Sequence, residues 1–95
     1  MENFEIYHAY IESSDPDDYP FKDAGVFLND YDLALTSLLK TWRTIKNHFD
    51  KTEQYNPYSY LVIDSWKYNG NSKLSNNRIY SEYSLDVNIE NIGEK

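Results

Sequence analysis

Between Asn29 and Glu53 the chain reads NDYDLALTSLLKTWRTIKNHFDKTE, and its apolar residues recur at helical spacing. Tyr31, Leu35, Leu38, Leu39, Trp42, Ile45 and Phe49 follow one another by three or four positions, with one adjacent pair. That pattern lays one apolar stripe along an α-helix. Thr36, Lys40, Arg43, Lys46, Asn47 and Asp50 fall mainly off the stripe. Asn29 or Asp30 can accept hydrogen bonds from the free N–H groups of the first turn, and Asp32 adds negative charge there. Lys46, His48 and Lys51 gather at the far end, where cations suit the helix dipole. Such a helix must lay its stripe on something, so the rest of the chain has to supply a surface.

The flanking segments alternate as strands do. In residues 3–11, Phe4, Ile6, His8 and Tyr10 take one side and Glu5, Tyr7, Ala9 and Ile11 the other, so both faces carry apolar groups. ESSDPDDYP then breaks the pattern with Pro16 and Pro20 among acids and serines, a loop because Pro removes donors and Asp favours turns. The short run 24–28 is expected to be a second strand, the alternative being an extended lead into the helix. Residues 54–57 connect to YSYLVIDSWKY at 58–68, rich in strand formers. There Tyr58, Tyr60, Val62, Trp66 and Tyr68, with Asp64, are expected on one face, and Leu61 and Ile63 on the other. Asn69-Gly70 signals a turn, and Arg78–Ile89 alternates cleanly, with Ile79, Tyr83, Leu85, Val87 and Ile89 on one side. The expected order is ββαββ, or βαββ without the second strand. It is an α+β fold with one amphipathic helix on a largely antiparallel sheet of three or four strands. One domain spanning 1–95 is expected, with an acidic loop at 12–20 and a frayed tail at 90–95.

Composition narrows the function. Ninety-five residues can bury roughly 60–70 % of the surface their unfolded chain exposes, enough for one core. Cys is absent, which excludes disulfides and thiolate chemistry, and three glycines at 25, 70 and 93 cannot form a phosphate-cradling loop. The start MENFEIYHAY lacks the basic and apolar regions of a signal peptide, and no run approaches the ~20 apolar residues of a membrane span, so a soluble cytoplasmic protein is expected. Ten tyrosines suit half-buried sheets and contact surfaces.

Catalysis and metal binding are disfavoured by the residues present. His8 and His48 are the only imidazoles, and neither has a nucleophile and orienting partner at a recognisable spacing; each is expected to be structural. Asp15, Asp17 and Asp18 resemble the opening of a calcium loop, but Pro16 stiffens it and neither the turn glycine nor the closing glutamate follows. No enzyme activity, metal or cofactor is therefore expected. Lys40, Arg43 and Lys46 beside Trp42 could suggest a nucleic-acid helix, yet Trp42 belongs to the apolar stripe and the chain carries a net charge of −7.

That charge is uneven. Residues 1–32 hold nine acids against Lys22 alone. Direct nucleic-acid or anionic-membrane binding is disfavoured. The sequence instead suggests a small acidic, non-enzymatic binding protein. It would inhibit a nucleic-acid-handling enzyme, of phage counter-defence or nuclease-immunity type, by presenting carboxylates to a cationic surface. Glu12, Asp15, Asp17, Asp18, Asp23, Asp30 and Asp32 would supply the charge, and Tyr10 and Tyr19 the packed contacts. One alternative is a self-associating module using a Tyr/Trp-rich sheet face, left exposed if Leu61 and Ile63 face the helix. Another is a small-molecule sequestering protein with an aromatic pocket.

Overall fold

The computed structural model describes residues 4–68 and 74–83. Its elements are β1 (Phe4–Ser13), β2 (Lys22–Leu28), α1 (Tyr31–Thr52), β3 (Tyr58–Tyr68) and β4 (Leu74–Tyr83). The order is ββαββ, and the segment at 24–28 belongs to a strand. The sheet runs β2-β1-β3-β4 with every neighbouring pair antiparallel. The helix lies across β2, β1 and β3 on one face.

Alternation decides which side chains meet it. β1 turns Tyr7, Ala9 and Ile11 inward, and β3 turns Leu61 and Ile63. The helix answers with Ala34, Leu38, Trp42, Ile45 and Phe49, while Tyr31, Leu35 and Leu39 flank them half-buried. Ala34 was not part of the expected stripe. It is fully buried, and its small side chain lets the first turns of α1 approach the sheet. The indole Nε1 of Trp42 is buried with no acceptor among the described residues.

Both helix ends are fixed by local chemistry. Asn29 adopts a left-handed conformation with φ 56°. Its N–H donates to the Glu5 carbonyl at 2.8 Å, and its side-chain oxygen accepts from the Glu5 N–H at 2.9 Å. That exchange closes the β1–β2 ladder and turns the chain into the helix. Asp30 is the cap, accepting from the Leu33 N–H at 2.9 Å. At the other end Glu53 takes a left-handed conformation, and the N–H of Gln54 donates to the Phe49 carbonyl at 3.1 Å.

Three register shifts redirect side chains that simple alternation misplaces. Ala9 pairs with Gly25 and Tyr10 with Asp23, so Ala24 is the extra residue. It turns into the core, and its carbonyl accepts from the Ser37 hydroxyl of α1 at 2.5 Å. Gly25 has φ +117°, and a Cβ there would lie 2.8 Å from the Phe27 ring. In the second shift Glu12 pairs with Tyr60 and Ser13 with Tyr58, so Ser59 is extra. Tyr58 is therefore buried in the core beneath α1, not on the face of Tyr60 where alternation alone had put it. In the third, Ile63 pairs with Tyr80 and Asp64 with Arg78, so Ile79 is extra.

β4 begins at Leu74, ahead of the expected start at Arg78. Its polar opening residues need only backbone pairing with β3, and hydrophobic alternation cannot report that. The Asn69-Gly70 turn, the strand beyond Tyr83 and the tail from Glu90 lie outside the described residues.

The bulge at Ala24 makes a specific demand on Gly25. Gly25→Ala should cost roughly 1–3 kcal/mol in urea unfolding, since an L side chain is strained at that φ and meets Phe27. Its exposed neighbour Val26→Ala should stay within about 0.5 kcal/mol of wild type. Equal stability of the two variants would contradict the bulge.

Candidate functional site

Because the helix covers one face, the side chains that alternate away from it on β1 and β3 stand on the other; Tyr58, turned inward by its bulge, does not. Ile6, His8 and Tyr10 face outward from β1, flanked by Trp66, Asp64 and Val62 of β3. Across the other edge of β1, Ile6 pairs with Leu28 and His8 with Val26. This surface has an apolar end and a polar end.

At the apolar end, Ile6 and Trp66 are half-buried, while Val26 and Leu28 are 62 % and 63 % exposed. Phe21, 54 % exposed, closes over the middle with its edge toward His8 (6.2 Å) and Tyr10 (5.5 Å). An antiparallel sheet open to water ordinarily shows polar side chains there. This one shows a run of large apolar and aromatic groups.

The polar end is a closed network. The Tyr10 hydroxyl donates to Asp64 Oδ2 at 2.6 Å. Arg78 donates from Nε to Asp64 Oδ1 at 3.4 Å and from Nη2 to the Tyr10 oxygen at 3.3 Å. Its guanidinium lies 5.9 Å from the centre of the Tyr60 ring, and Glu12 stands 3.9 Å from Nη2. Val62 lies within this end of the face and is fully buried. Burial first, then the hydrogen bond to the Asp64 carboxylate, pushes the Tyr10 hydroxyl up to about 12.

His8 stands between the two ends. Its Nε2 lies 2.9 Å from Asp23 Oδ1, and its ring stacks near Trp66 (6.4 Å) and Tyr10 (4.7 Å). The Gly25 N–H bonded to Asp23 holds that carboxyl below its ordinary range; burial opposes this, and the bond to His8 adds to it. His8 is partly buried and hydrogen-bonded within the sheet face. Among the described residues of this face, Arg78 lies beside Asp64 and Glu12, and His8 is hydrogen-bonded to Asp23.

The nine residues expected to form one acidic docking surface fall in three places. Asp15, Asp17, Asp18 and Tyr19 lie together in the 14–21 loop, exposed, with no ion pair to those aspartates among the described residues. Glu12 belongs to β1 instead of the loop, and with Tyr10 and Asp23 it is drawn onto the open sheet face. Asp30 and Asp32 begin the helix. β2 separates loop from helix start by seven residues, roughly 20 Å of strand. The acids are thus not gathered on one surface.

Asp64, Arg78, Val26 and Leu28 of the open face were not among the expected site residues. Their signal was present in residues 4–10, where apolar groups alternate on both sides of one strand. Among the described residues, no group of three or more His, Asp or Glu side chains could hold a metal ion. No described helix is long and apolar enough to cross a membrane. Comparison with protein-family models, with curated proteins and with solved structures finds no match.

The raised Tyr10 hydroxyl ties stability to alkaline pH. A tyrosine protonated more tightly in the folded state contributes stability that is whole below the unfolded value of 10.0 and fades as pH climbs through about 12. Tyr10→Phe should lower stability by about 1–2 kcal/mol at pH 7, since Asp64 loses a charge-assisted donor. It should also flatten the decline above pH 10, measured by urea unfolding at successive pH values. An unchanged alkaline slope would show that Tyr10 is not held in this network.

Proposed function

We propose that this chain is a non-enzymatic protein-binding module that self-associates through its helix-free sheet face. The observation that carries this is the apolar row Val26, Leu28, Ile6 and Trp66, continuous across three strands and outside the core. Covering it removes large apolar surface from water. The occupant is a second copy because the exposed row is apolar and the cation described beside it is already engaged within the chain. Arg78 lies beside Asp64 and Glu12, so among the described residues this face offers no unengaged cation to an acidic partner. Two copies related by a two-fold axis would set one mixed-charge, aromatic face on another.

The test is sedimentation across micromolar concentrations at moderate salt. Wild type should form a dimer, and Leu28→Asp or Val26→Asp should shift it to monomer with circular dichroism unchanged, both positions being exposed in the single chain. A wild type that stays monomeric throughout would reject this role.

A second role, inhibition of a nucleic-acid-handling enzyme, is supported by a narrower surface than the whole acidic third. Asp15, Asp17 and Asp18 are exposed, and Tyr19 beside them is 39 % exposed. The 14–21 loop could meet a basic groove with closely spaced carboxylates and an aromatic contact, gaining salt-sensitive attraction. Pull-down from a bacterial lysate at low and high salt, with wild type and with Asp15, Asp17 and Asp18 changed to Asn, checks it. A cationic nuclease or defence effector retained only by wild type at low salt is the expected outcome. Capture indifferent to both salt and substitution would remove the loop from the mechanism.

A further inference from the structure

Where the 14–21 loop folds back toward the last turns of α1, the surface sinks into a cleft of about 410 Å³. Ile45 and Phe49 of the helix and Tyr58 of β3 line it, and Tyr19 closes one side. The aromatic rings meet edge to face, Tyr19 at 6.5 Å from Phe49 and 6.1 Å from Tyr58. The Tyr58 hydroxyl donates to the Pro20 carbonyl at 2.9 Å, which anchors the loop and holds that ring in place. The volume falls within the range of ordinary small-molecule sites, and the lining is mostly apolar, as theirs is.

The formally charged group lining the cleft is a cation. Lys22 Nζ stands 5.7 Å from the centre of the Tyr58 ring, and His48 lines the cleft from the helix side. Lys22 is the one Lys or Arg among the first 32 residues. The neighbouring Asp23 is turned to the opposite face of the sheet, where it meets His8 and not Lys22. Thr44, the remaining lining group, donates its hydroxyl to the Lys40 carbonyl within the helix at 3.2 Å. An acidic protein thus builds an aromatic cleft whose charged side chain is a cation.

We infer that this cleft binds a planar aromatic acid, with the ring packed among Tyr19, Phe49 and Tyr58 and the anionic group at Lys22 and His48. Ring stacking and burial supply the attraction, and the ammonium distinguishes an acid from a neutral analogue. The site is separate from the open sheet face and does not depend on self-association.

Backbone amide NMR with 2-naphthoate, and with neutral 2-naphthalenemethanol as control, tests it. Saturable shifts should centre on residues 19, 22, 44–49 and 58, and the alcohol should bind roughly tenfold more weakly, as expected for loss of a charge-assisted contact. Lys22→Gln should bring the acid down to the affinity of the alcohol, and Thr44→Trp, at an exposed position, should fill the cleft and abolish both. Equal affinity for acid and alcohol in wild type, indifference to Lys22→Gln, shifts centred on Ile6, Val26 and Trp66, or no saturable binding at millimolar probe would each overturn the assignment.

Discussion

Among the described residues the sheet has two apolar faces and one helix to cover them. β1 sets the problem, because Tyr7, Ala9 and Ile11 point one way while Ile6, His8 and Tyr10 point the other. β3 repeats it with Leu61 and Ile63 against Val62 and Trp66. Pairing these two strands at the centre of the sheet makes each face continuous, and α1 can occupy only one. Every later feature follows from that shortage. The helix takes the more uniformly aliphatic side, and the mixed aromatic side is left to manage itself.

It manages partly by internal pairing. Tyr10, Asp64 and Arg78 close one end of the open face with charge-assisted hydrogen bonds, and Phe21 caps the rings of His8 and Tyr10. Arg78 comes from β4, so the edge strand supplies what the central pair needs. At the other end nothing comparable among the described residues lies over Val26 and Leu28, whose exposure marks where a partner would remove water. The bulges make the rest of the packing consistent. Ala24 and Tyr58 both turn inward because their own strands carry one extra residue opposite β1, and each then ties a different element to the core. Ser37 holds the Ala24 carbonyl, and Tyr58 holds the loop through Pro20.

The helix was legible because its signals agree: a stripe at helical spacing, an aspartate cap and a cationic last turn. The two-sidedness of the first strand was equally readable, and the exposed face was expected from the 58–68 strand, where Leu61 and Ile63 oppose Trp66. Ala34 escaped notice because a small residue carries no hydrophobic signal yet can mark the closest approach of helix to sheet. Tyr58 was misplaced because a bulge reverses alternation, and Ser59 announces no bulge by its side chain. Polar pairs that join distant parts of the chain, such as Tyr10 with Asp64 and His8 with Asp23, leave no local pattern at all. Charge counting located the acids correctly in sequence. It could not foresee that β2 would carry Asp30 and Asp32 to the end opposite Asp15, Asp17 and Asp18.

Electrostatics and packing therefore divide the labour. The exposed acids keep the loop and helix start hydrated, the central strands carry apolar contacts on both sides, and the cleft by Lys22 is a local inversion of sign. All of it depends on which face the helix covers. Methyl NMR of the dilute protein with a soluble paramagnetic agent measures that directly. Strong attenuation of the Val26 and Leu28 methyls is expected, with Ile11, Leu38, Leu61 and Ile63 protected. Attenuation of Leu61 and Ile63 with Val26 and Leu28 shielded would place the helix on the other face and contradict it.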